Sequence, residues 1–204
     1  QALALMDADG YAARRAESSA RGRLRGRGIG YFIEASGGQP AEWSRIRITE
    51  DGEALVHVGT FSHGQGHETA FAQLAHAKLG IPFDKVRLVQ GDSDLVPAGG
   101  GTGGSRSSQM GGAAVTRAAT AVLDKAKRLA AERLECAEAD IEHQGARFAI
   151  AGTDRSITWG ELAQGGALDE QLLYRRNTEC NFPNGCHLAE VEVDPETGAV
   201  ELVR

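Results

Sequence analysis

The spacing of apolar positions changes several times along this chain, and each change predicts a different element. Residues Tyr11 to Ala20, "YAARRAESSA", read as a charged amphipathic helix. Residues 24–36, "LRGRGIGYFIEAS", read as a strand whose glycines allow another backbone to come close. From Ser44 to Thr60 apolar and polar residues alternate on both sides of Asp51-Gly52, a dipeptide that tolerates positive φ, so a tight hairpin is predicted there. The period then lengthens. Phe71, Leu74, Ala75 and Leu79 recur at helical spacing, and Gly80 followed by Ile81-Pro82 supplies the stop. "DKVRLVQGD" predicts a short strand, and a long helix from Gln109 to Leu134 is predicted to bury Val115, Ala118, Val122, Ala126 and Leu129 on one stripe. Beyond it, "IEHQGARFAIAG" predicts a second hairpin, "TWGELA" a short helix, and "LAEVEVDPETGAVELV" a third hairpin.

Hairpins joined by short crossovers point to an α+β or two-layer α/β fold with a mixed sheet, rather than to a doubly wound parallel sheet. The 204 residues suffice for one domain or two small lobes, and residues 22–135 and 136–204 are the natural subregions. The chain opens on Gln1 and closes at Arg204 inside the strand-like "AVELVR". It is expected to be a piece of a longer polypeptide, because a strand so placed needs more chain to pair with.

Charge narrows the range of partners. The net charge of −6 argues against nucleic acid, which calls for a concentrated basic face. The one basic run, Arg14 to Arg27, is most simply a solvated helix face. No apolar run is long enough to span a membrane. Cys136, Cys180 and Cys186 lack CxxC spacing, which favours reduced thiols and a cytoplasmic setting over a disulfide or zinc site.

Two glycine-bearing loops that lead into helices hold the candidate chemistry. In "GGGTGGSRSS", residues 99–108, missing Cβ atoms and successive N–H groups could cradle a diphosphate. Thr102, Ser105, Ser107 and Ser108 add hydroxyls, and Arg106 adds a guanidinium fork suited to phosphate. A mobile loop would have the same composition. No Gly-Lys-Ser/Thr ending is present, and Gly99, Gly101 and Gly104 match GxGxxG spacing only at a distance from the preceding strand. In "GTFSHGQGHETAFAQ", residues 59–73, a metal site, a phosphate cradle and a plain turn compete. His63 and His67 are four apart, but Gly64 and Gly66 oppose the helix that would align them, so no metal ligand is assigned. Gln65, set between two glycines, offers an amide donor and acceptor to a polar heterocycle or oxo group, or simply to water. Glu68, Asp92 and Asp94 could each serve as a general base if buried, but a structural role is favoured, Asp92 and Asp94 suiting turns and caps, and His57, His76, His143 and His187 are read as isolated.

The order and spacing of "GTFSHGQGHETAFAQLAHAKLGIPFDKVRLVQGDSDLVP" and "GTGGSRSSQMGGAA" resemble the molybdenum-binding large subunit of the xanthine dehydrogenase and aldehyde oxidase family, especially its carbon monoxide dehydrogenase-like bacterial branch. The weaker "LRGRGIGYFIEASG" and "FPNGCHLAEVEVDPETGAVELVR" extend the likeness over nearly the whole chain. The resemblance implies molybdopterin binding, in bacteria usually as the cytosine dinucleotide, and oxidation of an aldehyde, an N-heterocycle or CO. It implies that Gly64, Gln65, Gly66 and His67 meet the pterin side, while Thr102, Gly103, Gly104, Ser105, Arg106 and Ser107 wrap pterin and diphosphate. It also implies partners: the remainder of the large subunit, iron-sulfur and FAD subunits or domains, and in some assemblies a dimer. The family's GxGE glutamate base and its active-site cysteine loop have no match here, so no catalytic residue is assigned and the chain alone is expected to be inactive. The competing expectations are a binding or assembly module of the same fold without cofactor, and an unrelated phosphate-binding domain.

Overall fold

The computed structural model describes residues 1–177 and 179–204. In chain order the helices and strands are α1 (Ala2–Leu5), α2 (Tyr11–Ala20), β1 (Leu24–Ile33), β2 (Ala41–Ile48), β3 (Ala54–Val58), α3 (His67–Leu79), β4 (Val86–Val89), α4 (Gly112–Leu134), β5 (Ile141–Gln144), β6 (Arg147–Ile150), β7 (Ser156–Thr158), α5 (Trp159–Leu162), β8 (Asp169–Arg175), β9 (Asn184–Val193) and β10 (Val200–Leu202). They form two compact units, residues 35–181 and residues 1–34 with 182–204. These limits differ from a boundary at 135/136, because β8 pairs with β2 and so joins the late chain to the early sheet.

In the unit of residues 35–181, a four-stranded sheet has the order β4-β3-β2-β8. Strands β3 and β4 run parallel with α3 between them, and the other neighbours are antiparallel, so the mixed-sheet α+β expectation holds. The first hairpin forms as its residues predict. Ser44 lies opposite Val58 and Ile48 opposite Ala54, while Gly52 takes φ 75° and its N–H donates to the Thr49 carbonyl at 2.9 Å. Period-two alternation sends Ile46, Ile48, Val56 and Val58 into the core with Phe71 and Ala75 of α3 and with Val115, Ala118 and Val122 of α4. Strand β8 was missed in the sequence because its alternation leaves every other residue exposed and never builds an apolar run.

Helix α3 begins after Gly66 and ends at Gly80, both left-handed, with the Gly80 N–H donating to His76 O at 2.8 Å. Phe71, Ala75 and Leu79 are buried as predicted, but Leu74 is 37% exposed. Helix α4 is about 35 Å long at 1.5 Å per residue. It buries the predicted stripe, with Leu129 only partly covered. Its start is not the regular turn predicted from Gln109: Ser107 to Gly111 form a π-helical turn, and α4 proper starts at Gly112. The predicted second hairpin is β5–β6, extended by β7. The short helix α5 carries a capping box between Thr158 and Glu161.

In the unit of residues 1–34 and 182–204, the sheet order is β1-β9-β10, with all ten residues of β1 in register from Leu24 opposite Val193 to Ile33 opposite Asn184. The third predicted hairpin is β9–β10. The basic run is only in part a solvated face: Arg15, Arg21, Arg23 and Arg27 are exposed, but Arg14 and Arg25 turn to buried carboxylates. Arg14 reaches Glu190 Oε1 at 2.5 Å, Arg25 reaches Glu190 Oε2 and Glu192 Oε1 at 2.8 Å each, and Ser18 donates to Glu192 Oε1 at 2.6 Å. Glu190 is fully buried. Cross-strand register accounts for the buried pair, because it sets Arg25 directly opposite Glu192 and beside Glu190. The aliphatic residues of the alternation face the other way, and Leu24, Val200 and Leu202 stay 61%, 66% and 70% exposed.

These ion pairs make this unit acid-sensitive. Hydrogen bonds from Ser18 and Arg25, reinforced by the Arg21 and Arg25 charges, hold Glu192 down at about 2, and the hydrogen bond from Arg14 lowers Glu190. A carboxylate depressed in the folded state adds stability that is complete above its unfolded value and is lost as pH falls toward the folded one. Hydrogen exchange of the β1 and β9 amides is therefore expected to accelerate as pH drops from about 4.5 towards about 2, after correction for intrinsic rates. Glu192→Gln flattens that dependence while lowering protection at neutral pH.

Candidate cofactor-binding site

The two glycine loops meet just beyond the ends of β3 and β4. The Gly101 N–H donates to the Gly59 carbonyl at 3.2 Å. A Cβ on Gly59 would lie 2.5 Å from Gly99 Cα and 2.4 Å from Glu42 Oε1, and one on Gly99 would lie 2.3 Å from Gly59 O. Neither position has room for a side chain, so the loops close only glycine against glycine. Thr102 completes the clasp. Its hydroxyl donates to Phe61 O at 2.5 Å, accepts from the Phe61 N–H at 3.2 Å, and lies 2.8 Å from Ser107 Oγ.

Below the clasp sits a buried ion pair. Arg106, 3% exposed, donates to Gly101 O at 3.1 Å and to Ala41 O at 2.8 Å, and its Nη2 is 3.0 Å from Glu42 Oε2. Glu42 is 1% exposed, and burial raises its carboxyl pKa against the opposing pull of the Arg106 charge. Both terminal nitrogens of Arg106, read from the sequence as a fork suited to phosphate, contact the protein here. Arg106 fastens the glycine loop to β2, and Glu42 cancels its charge. Glu42 escaped the sequence reading, although it shares the inward phase of Ser44, Ile46 and Ile48 on β2, where an acid needs a partner.

Gly64 and Gly66 take φ 101° and 73°, with nothing within 4 Å of the place a Cβ would occupy. Gln65 is exposed, and its Oε1 accepts from the His63 N–H. His63 and His67 do not share a face. His63 is exposed beside Phe61, whereas His67 is 4% exposed and packs on Phe71 with ring centroids 5.0 Å apart. The Asp92 Oδ1 accepts from the Asp94 N–H at 2.9 Å, a turn role as expected. His76 and His143 bond to main-chain carbonyls, and burial lowers the pKa of His57.

A cavity of about 580 Å³ opens between the loops and α3. It is lined by Gln65, His67, Thr102, Gly103, Ser105, Arg106 and Ser107 among the predicted residues. Gly64, Gly66 and Gly104 shape the loops without lining it. Ala70, Phe71 and Leu74 form an apolar wall beside Gln73, of which the sequence reading placed Phe71 and Leu74 on the helical stripe, and Ser108 completes the rim. Helical spacing could have shown that wall, since Leu74 lies beside the Phe71–Ala75 stripe rather than within it. Neither α3 nor the π-helical turn has a side-chain cap, so their first N–H groups have no side chain to bond to. This size and mix of lining suit a small-molecule site of roughly 300–1,000 Å³.

The fold and site together define an α+β domain with a cavity bordered by two glycine loops and the start of a helix. Over residues 1–204 the chain matches the molybdopterin cofactor-binding domain model, and it belongs to that family. The resemblance carried by the glycine motifs is borne out. The chain is 34% identical to the carbon monoxide dehydrogenase large chain of Hydrogenophaga pseudoflava, covering 98% of this chain and 28% of that one. It is also 34% identical to the gamma subunit of the 6-hydroxypseudooxynicotine dehydrogenase complex of Paenarthrobacter nicotinovorans, covering 91% of this chain and 25% of that one. Among solved structures, the Cu,Mo-CO dehydrogenase in its carbon monoxide reduced state aligns over 98% of this chain and 29% of its own, with a TM-score of 0.73 and 32% identity. Quinoline 2-oxidoreductase from Pseudomonas putida 86 aligns over the same shares with a TM-score of 0.75 and 28% identity. The chain thus spans little more than a quarter of the length of these relatives.

Breaking the Arg106–Glu42 pair should cost far more than exchanging both partners. Arg106→Met is expected to lose about 3–5 kcal/mol, because a buried carboxylate is left alone. Urea unfolding of Arg106→Met, Glu42→Gln and the double variant checks this, with the double variant expected to be more stable than Arg106→Met.

Proposed function

We propose that this chain forms part of the cofactor pocket of a molybdenum hydroxylase, and that the group it holds is molybdopterin cytosine dinucleotide. The supporting observation is the single cavity between two glycine loops, each leading into a helical turn without a side-chain cap. The residues fit such a group. Open space beside Gly64, Gly66, Gly101 and Gly103 lets a ligand approach the backbone, and hydroxyls of Ser107 and Ser108 stand at the rim. Because Glu42 neutralises Arg106, an anionic ligand would be held by N–H groups at the helix starts and by hydroxyls.

When bound, the cofactor supplies the oxygen-transfer and redox chemistry. This chain's residues bind and orient it. Gly64, Gln65, Gly66 and His67 would hold the pterin side, and Thr102 to Ser107 the pterin and diphosphate. Phe71 and Leu74 keep water from one wall. The substrate of the complete enzyme would be an aldehyde, an N-heterocycle or CO, and its base would come from another segment of polypeptide. The proposed partners are the rest of a large subunit and iron-sulfur and FAD subunits. Apolar side chains left bare on β1 and β10, among them Tyr31 and Ile33, are consistent with further protein packing there. No helix among the described residues is long and apolar enough to cross a membrane. The three unpaired cysteines suit a reducing compartment, the cytoplasm.

The test is to isolate the natural polypeptide that contains this chain from a molybdate-replete host with the maturation machinery. Near-stoichiometric molybdenum and cytidine nucleotide are expected after acid release. Nucleotide without molybdenum would favour a phosphate-binding domain, and neither would favour a binding module without cofactor. Gln65→Ala is expected to lower molybdenum occupancy or turnover at a stability cost below about 1 kcal/mol, because the side chain is exposed on a loop. Full activity at full occupancy would remove Gln65 from the pocket.

A further inference from the structure

Behind the cavity wall lies a short polar chain in which Gln90, at the end of β4, joins Thr60 and His67 of the first glycine loop. Thr60, 1% exposed, and Gln90 extend the inward phases of β3 and β4, one as Val56, Val58, Thr60 and the other as Val86, Leu88, Gln90. The strands are parallel with Val56 opposite Leu88, so both polar residues emerge at the same end of the sheet. The Gln90 Nε2 donates to Thr60 Oγ1 at 3.0 Å, and the Gln90 Oε1 lies 3.4 Å from His67 Nδ1. His67 is 96% buried by the same measure that leaves it 4% exposed, lines the cavity, and has no hydrogen-bond partner at Nε2.

The two ring tautomers differ in what they leave unpaired. With hydrogen on Nδ1, His67 donates to Gln90 Oε1 and keeps an unpaired acceptor at Nε2. With hydrogen on Nε2, the Gln90 amide nitrogen, 3.3 Å away, would have to donate to Nδ1, and a buried N–H would be stranded. Orphaned buried donors are rarer than under-satisfied acceptors, which favours the first arrangement. The amide orientation, with its nitrogen towards Thr60, agrees.

We propose that Gln90, anchored by Thr60, is a positioning residue that fixes the Nδ1–H tautomer of His67 and so sets a hydrogen-bond acceptor in the wall of the cavity. The complementary ligand group is an N–H donor of a polar heterocycle such as a pterin. This deepens the reading of the cavity as a cofactor site and rests on it. The neighbouring contacts hold the ring in place: Phe71, whose ring is tilted 50° against His67, and Thr60 both border Gly111 in the π-helical turn, where an added Cβ would lie 3.1 Å from each.

The experiment is imidazole nitrogen NMR on the protein without molybdenum, so its outcome does not depend on cofactor loading. The wild type should show His67 protonated at Nδ1, Gln90→Glu should retain that pattern because it keeps an acceptor, and Gln90→Met should shift the ring towards Nε2–H. Adding a metal-free pterin should move the Nε2 resonance upfield in the wild type. An Nε2–H wild-type ring, or an unchanged tautomer in Gln90→Met, would overturn the positioning role. An Nε2 resonance that stays still at saturating pterin would overturn the acceptor. Molybdenum content, measured separately, reports on the functional reading alone.

Discussion

The site depends on the contact between Gly59 and Gly99. A carbonyl sits where either glycine would carry a Cβ, so the chain leaving β3 and the chain following β4 can touch only if both positions are bare. The rest of the site follows from that touch. It places Thr102 against the Phe61 backbone, and it lets the next residues turn into the π-helical start of α4. The cavity is the space left between the clasped loops and the first turns of α3.

Buried charges in both units are paired within the protein. Arg106 and Glu42 neutralise each other under the loop, and Arg14, Arg25, Glu190 and Glu192 do the same inside the smaller unit. In both places the guanidinium offers several donors in a fixed plane, which lets one side chain bridge two backbone or carboxylate groups. The consequence at the site is that the Arg106 charge is balanced within the protein by Glu42.

The apolar wall sets the other half of the site. Phe71 and Leu74 are neighbours on α3, yet one is buried and the other is left at the rim. A helix face wider than the core it covers leaves such residues over, and here they meet the hydroxyl-bearing loop. The pairing of an apolar wall with a hydroxyl rim suits a flat heterocycle with a polar tail.

Much of this was legible in the residue order. Asp51-Gly52 specified its hairpin because few dipeptides accept that turn, and Gly66 and Gly80 bounded α3 because both adopt left-handed backbone. The glycine loops and most of their lining residues were identified in advance, since short motifs with bare backbone depend little on distant contacts. What remained hidden depended on register and on packing. Alternation in "LAEVEV" cannot say which set of side chains faces inward, and only the pairing of Arg25 with Glu192 turned the charged set to the interior. Nor could the sequence show that Arg106 is held by the protein itself, for that required Ala41, Glu42 and Gly101 to meet around it. Local chemistry determined the turns, the caps and the family of motifs. The tertiary structure alone decided partners, because residues 30 or more positions apart, such as Thr60 and Gln90, become neighbours only when strands find their register.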